Sequence, residues 1–171
     1  LNIPNPLDHL TGLAILLMPT LYVLIGLPGS GKSHWAQANG DRVNAVIVGS
    51  DEVRAELQAH GEDPHDGDAV FAEVEHRART QLQTDRSVIL DATHYQRRYR
   101  TYAIDLAHQL HVLCVAVWFD TPLAEALQRN GWRTGDRFGE QRVPDHIIRT
   151  MAAHFDPPGR DEFDRAVRIK G

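Results

Sequence analysis

The chain has 171 residues, of which 42% are hydrophobic and 24% charged, and a formal net charge of -5. That length suits one domain with a substantial core and leaves little room for two, and the composition is that of an ordinary soluble globular protein. The negative balance excludes a global pull toward nucleic acid or membrane, so an anionic partner has to be met by a local patch. The single cysteine, Cys114, lies in an apolar run and cannot staple the fold, which suits a reducing cytoplasm. Ten histidines are scattered without zinc-like spacing, so no structural metal site is expected. Only Lys32 and Lys170 are lysines and the other basic residues are arginines, a bias that codon usage or phosphate recognition would equally produce.

At the amino end, the apolar stretch from Leu10 to Thr20 is too short to span a bilayer and lacks the basic start and cleavage site of a secretory signal. Met18 stands just before the first strand. Residues 1–17 are therefore read as a cloning remnant, a natural extension or the tail of an upstream domain, and residues 18–171 as the domain itself. From residue 20 onward strand-like and helix-like segments alternate. "LYVLIG" (21–26) reads as a buried strand, followed by a loop and a helix from about Lys32 to Ala38. "NAVIVG" (44–49) is a second strand, leading into the helix "SDEVRAELQAH", whose first turn carries Asp51 and Glu52 where the dipole favours them. After a turn-rich loop (61–68), a long helix runs from Ala69 to about Gln83 with Val70, Val74, Ala78 and Leu82 on one face. "SVIL" (87–90) is a third strand, ending at Asp91. A helix is expected from about Gln96, with Tyr99, Tyr102, Leu106 and Leu110 at helical spacing.

The fourth strand is "VLCVAVWF" (112–119), and "TPLAEALQRN" is a helix opened by Thr121 and Pro122. "GWRTGDRFGEQR" (131–142) is glycine-broken and arginine-rich and reads as a mobile loop. A helix over 143–155 and a short strand, "RAVRI" (165–169), complete the chain. Continuous apolar strands alternating with helices predict an α/β domain: a mostly parallel five-stranded sheet with helices on both faces, in three layers.

"GLPGSGKS" matches G-x-x-x-x-G-K-S from Gly26 to Ser33, with a strand before it and a helix after it. The glycines Gly26, Gly29 and Gly31 let backbone N–H groups turn inward on phosphates, Pro28 and Ser30 complete the nucleotide-binding loop, and the helix N-terminus adds its positive end. Lys32 would reach the β- and γ-phosphates of a nucleotide such as ATP, and the Ser33 hydroxyl would hold Mg²⁺. Three classes use such a loop. A guanine-nucleotide switch needs an N-K-x-D-type segment, which neither lysine can supply. Hydrolytic motors commonly place Glu beside the strand-end acid, whereas Ala92 follows Asp91 here. Both absences point toward transfer to a bound acceptor. Such transfer needs a carboxylate near the acceptor hydroxyl. Asp51 lies just past a strand's carboxyl end, on the same sheet edge as the phosphate loop, and Arg54 shares its helix face. A helix N-cap is the competing explanation for Asp51.

Taken in order, "GLPGSGKSHWA", "SDEVR", "ILDATHYQRR", "FDTPLAEALQRNGWR" and "VPDHIIRTM" resemble the kinase domain of 5′-hydroxyl polynucleotide kinases. These belong to the zeta-toxin-like and adenylate-kinase-like P-loop kinases, and the likeness spans about Leu21 to Phe155. The resemblance implies a P-loop kinase fold with an arginine-rich lid, ATP and Mg²⁺ as cofactors, and a nucleic-acid 5′-hydroxyl end as acceptor. It implies Asp51 as general base and Arg54 as a contact to the scissile or acceptor phosphate. Asp91 is implied as the strand-end aspartate that organises the metal, phosphate and acceptor site. Arg129 and Arg133 of "RNGWR" are implied on the donor, Arg133 as the lid residue. The chain departs from the pattern at His34, where threonine is common, and in a lid lengthened by "GDRFGEQR". The longer lid leaves Arg133, Arg137 and Arg142 all as candidates to close on the donor.

"HYQRRYR" (94–100) is the expected acceptor patch. Arg97, Arg98 and Arg100 crowd what reads as a helix's first turn, where the dipole disfavours cations by up to ~1 kcal/mol each and bound phosphate would offset the cost. Tyr95 could stack on a base. Tyr99 reads as core, and Arg77 and Arg79 as solvated. The expectation is a cytoplasmic, magnesium-dependent kinase that phosphorylates DNA or RNA ends, with a covalently linked upstream domain as a possible partner and no membrane contact. The rivals are a small-molecule kinase on the same fold and a nucleotide-binding module without transfer.

Overall fold

A computed structural model describes residues 18–135 and 139–171; the expected extension 1–17 and Arg137 lie outside the described residues. Five strands form one parallel sheet: β1 (Thr20–Ile25), β2 (Ala45–Gly49), β3 (Ser87–Asp91), β4 (Leu113–Asp120) and β5 (Arg165–Lys170). They are ordered β2-β3-β1-β4-β5. The helices are α1 (Lys32–Asn39), α2 (Ser50–Ala59), α3 (Gly67–Leu82), α4 (Thr101–Leu110), α5 (Leu123–Gly131) and α6 (Asp145–Ala153). Along β1 the side chains alternate. Leu21, Val23 and Ile25 join the core under α2, α3 and α4 with Val53, Val74 and Leu106, while Tyr22 and Leu24 pack on the other face with Ala36 of α1 and Phe119. Both faces of the sheet are thus buried at the central strands β3, β1 and β4, which explains strands that read as continuous apolar runs.

The order matters for function because β1 lies between β3 and β4. From its carboxyl end the chain departs to β2 on one side and later returns to β4 on the other, which opens a crevice where ligands bind in folds of this kind. Gly26, Asp51, Asp91 and Thr121 all follow or end strands at that edge. A smaller cluster of Leu27, Ala126 and Ile148 seats α5 and α6 against the phosphate loop.

Several expectations are corrected. The helix expected from Gln96 is a 3₁₀ turn over Arg97–Tyr99, after which α4 starts at Thr101. The long helix starts earlier than Ala69, because the Asp66 side chain accepts the N–H groups of Asp68 and Ala69 and caps it. Tyr99 is half-buried rather than core; its ring meets Tyr95 at 5.4 Å and carries the Arg98 guanidinium 4.8 Å from its centroid. Arg77 pairs with Glu73 and Glu56, tying α3 to α2, and Arg79 pairs with Glu75, so neither is simply solvated. Arg100 is fully buried, its guanidinium bonded to both Glu162 carboxylate oxygens at 2.6 and 3.0 Å. It also donates to the backbone oxygens of His94 and Asp156. Arg100 is therefore a clamp between the turn after β3 and the segment after α6, and it is not open to an acceptor.

Candidate active site

The phosphate loop owes its shape to two glycines in left-handed backbone. Gly29 (φ +82°) lies so close to α5 that a Cβ there would stand 2.3 Å from the Ala126 carbonyl oxygen, and Gly31 (φ +97°) turns the chain into α1. Lys32 is buried and curls over its own loop, donating to the carbonyls of Gly26 at 3.0 Å and Leu27 at 2.8 Å and to Ser30 Oγ at 3.4 Å. Burial pushes its ammonium down to about 8, with Asp91 and Asp51 holding it up and Arg133 pressing it further down. The exposed Ser33 follows, at the mouth of a cleft of about 840 Å³. The loop residues Gly29 to His34 line this cleft together with Arg129 and Arg133 of the α5 end, and Trp35, Phe119 and Ile169 form its apolar wall. The Arg129 guanidinium, paired with Glu125, lies 4.0 Å from where a Cβ on Gly31 would be.

Asp51 does not cap α2. Gly49 is the N-cap, without a side-chain bond, and the Asp51 carboxylate accepts no hydrogen bond from any described residue. The residue stays open to water, yet the protein packed around its carboxyl raises it above the usual carboxylate range. Arg54 is the foremost charge pulling the carboxyl back, Asp91 raises it further, and Arg133 and Lys32 lower it. The fold thus gathers Lys32, Asp51, Arg54, Asp91 and Arg133 into one electrostatic neighbourhood from four separate parts of the chain. Among the described residues no group of three or more His, Cys, Asp and Glu could hold a metal ion unaided. Mg²⁺ suits that poverty, because it usually takes one or two protein oxygens and finds the rest on phosphates and water. Ser33 and Asp91 are oxygen donors of the right kind for it.

The acceptor patch stands apart in its contacts. Tyr95 packs on Tyr99, and Arg98 donates to Gln96 and to the Tyr99 hydroxyl. The backbone N–H of Arg97 is held by Asp156 Oδ2 at 3.1 Å, while its exposed guanidinium has no ion pair among the described residues. None of the three has a hydrogen bond, ion pair or ring contact with Asp51 or Arg54. Of the lid arginines, Arg133 lines the cleft, whereas Arg142 pairs with Asp145 at the start of α6.

Two residues were not singled out from sequence. Asn130 is fully buried and its amide exchanges two bonds with the Val143 backbone, at 2.8 and 3.0 Å, locking the end of α5 to the approach of α6. Its place inside R-N-x-x-R was the available signal. His94, behind the loop, faces the Leu24 carbonyl through Nδ1 and the Tyr102 hydroxyl through Nε2, each at 2.9 Å. A carbonyl can only accept, so Nδ1 carries the proton and Nε2 accepts from Tyr102. Burial pushes this imidazole down to about 4, keeping it neutral.

A parallel sheet in this order, with the glycine-rich loop after its central strand, defines a P-loop kinase fold. The model of the AAA domain family matches residues 21–158, and the chain belongs to that family. It is similar to the L-seryl-tRNA(Sec) kinase of Methanococcus maripaludis, 26% identical over 144 residues, covering 81% of this chain and 53% of that protein. The chain therefore spans about half the length of this curated relative. Among solved structures, Kti12 of Chaetomium thermophilum in complex with ADP-AlF3 matches with a TM-score of 0.70 at 16% identity, over 88% of each chain. A chain of the Pnkp1/Rnl/Hen1 RNA repair complex matches with a TM-score of 0.64 at 25% identity, over 80% of this chain and 44% of that one.

Proposed function

We propose that the chain transfers the γ-phosphoryl group of ATP, with Mg²⁺, to the 5′-hydroxyl end of a DNA or RNA strand. The observation that carries the reading is Asp51: an unengaged carboxylate, open to solvent, within the field of Lys32, Arg54, Asp91 and Arg133. ATP is the phosphoryl donor, and Mg²⁺, when bound, would neutralise charge on its phosphates. Asp51 takes the proton of the acceptor hydroxyl as the new O–P bond forms and the bridging P–O bond breaks. Lys32 and Arg133 hold the transferring phosphate, Arg54 holds the acceptor side, and Ser33 and Asp91 supply oxygens to the metal. Arg129, above the loop, holds the donor phosphates.

A nucleic acid is favoured over a small acceptor by the patch that follows β3, at the same edge of the sheet as the phosphate loop. Exposed Arg97 and Arg98 with the Tyr95–Tyr99 pair offer cations and ring faces together, the combination that suits single strands. Two of the similar proteins named above, a seryl-tRNA kinase and an RNA repair assembly, also bear on nucleic acid by their names. Incubation with γ-labelled ATP and a 5′-hydroxyl oligonucleotide tests the reading, and label on the oligonucleotide is the expected result. Label appearing only on a small metabolite, or tight ATP binding with no transfer, would replace it with one of the two rivals.

Lys32 gives a second test. With its ammonium near 8 in the free chain, about half the molecules are deprotonated at pH 8, and bound phosphates favour the charged form. Binding of MgATP is therefore expected to take up about half a proton at pH 8 and almost none at pH 6.5. Calorimetry in two buffers of different ionisation enthalpy measures this uptake. Equal, near-zero values at both pH values would contradict it.

A further inference from the structure

We propose that Trp132 is the platform on which the donor's base stacks, and so the residue that lets this chain hold a nucleotide rather than bare polyphosphate. The proposal rests on the reading of the 840 Å³ cleft as the donor site. Three observations carry it. Trp132 is 69% exposed, the most exposed large hydrophobic side chain among the described residues, and it lines the same cleft as the phosphate loop. The other two indoles are engaged: Trp35 packs edge-on against Phe119 at 6.2 Å, and Trp118 lies under the Arg168 guanidinium at 4.7 Å. Trp132 has no such ring or cation partner among the described residues.

The third observation is rigidity. The backbone N–H of Trp132 donates to the Arg129 carbonyl at 3.2 Å, and that of Arg133 donates to the Asn130 carbonyl at 3.1 Å. Asn130 itself is clamped to Val143. One locked turn therefore sets both an arginine beside the phosphate loop and an indole at the cleft's mouth. Lys32, Arg129 and Arg133 stand at the loop end of the cleft, and Trp35, Phe119 and Ile169 give it apolar lining, with Arg42 and Lys170 as further cations along the same cleft. Phosphates match the first region, and a flat π-system matches the second. Because every base has a π-face, stacking of this kind secures any of them with little choice between bases.

Calorimetric binding of two probes, MgATP and inorganic tripolyphosphate, to the full chain tests the assignment. Trp132→Ala is expected to weaken MgATP about tenfold or more, as loss of one base–aromatic stack does, and to leave tripolyphosphate within about twofold. Trp132→Phe retains a ring and is expected to keep most of the affinity. An equal loss for both probes would overturn the proposal by showing that Trp132 acts through the placement of Arg133. Unchanged MgATP affinity in Trp132→Ala would overturn it outright, as would a selective loss of oligonucleotide binding. Failure of the unaltered chain to bind MgATP would remove the donor site itself, a result distinct from all of these.

Discussion

Replacing Asp51 by Asn is expected to lower phosphoryl transfer by about 10²- to 10⁴-fold, the usual contribution of a positioned general base. Affinity for MgATP should stay within about twofold, because the proposed reaction assigns the residue to the acceptor and not to the donor. The substitution is a clean one. Asp51 accepts no hydrogen bond from a described residue and caps no helix, so Asn removes the proton acceptor without removing a structural contact. Stability should be unchanged, which a thermal melt will verify. A pH profile sharpens the expectation. Burial raises the Asp51 carboxyl, and the base works only when deprotonated, so kcat/KM should fall with falling pH along a limb above the usual carboxylate range. Arg54 is the main cation opposing that rise, so Arg54→Gln should move the limb to higher pH. Lost MgATP binding with retained transfer in Asp51→Asn would refute the role.

The second large effect is on stability. Glu162→Ala leaves the fully buried Arg100 guanidinium without its carboxylate, and breaking a buried pair in this way costs about 3–5 kcal/mol. A domain's whole stability is only about 5–15 kcal/mol, so this one change should remove a large fraction of it. At about 2–4 °C per kcal/mol for a chain of this size, the melting temperature should drop by roughly 6–20 °C. The paired replacement Arg100→Met with Glu162→Leu removes both charges and should be much less damaging than Glu162→Ala. Chemical denaturation of the three proteins decides the matter, and a Glu162→Ala cost below about 1 kcal/mol would show the pair to be dispensable. The clamp also bears on the proposed acceptor patch, because Arg100 holds the Asp156 backbone and the Asp156 side chain holds the Arg97 N–H.

Fold class was legible because it depends on local pattern. The apolar runs at 21–26, 87–90 and 112–119 read as doubly buried strands, and the Val70, Val74, Ala78, Leu82 stripe reads as one helix face; all four of these residues are buried. The phosphate loop was legible for the same reason, since its glycines and lysine are contiguous. The arginines of "HYQRRYR" show where such reading stops. Arg97 and Arg98 are exposed while Arg100 is wholly buried, and nothing within seven residues separates them. Arg100 finds its partner sixty-two residues away. The helix start at Thr101 rather than Gln96 has the same origin, because the intervening turn is held by Asp156 and Glu162 from the far side of α6.

Periodicity and contiguous motif, both properties of neighbouring residues, were therefore enough for the sequence alone to determine the parallel three-layer sheet and the nucleotide loop at its edge. Only the tertiary structure decided that Lys32, Asp51, Arg54, Asp91 and Arg133 share one field, that Arg100 is a buried clamp, and that Trp132 stands open on the cleft. The physical reason is that charge interaction and burial depend on distance through space, and strand order β2-β3-β1-β4-β5 is what sets those distances.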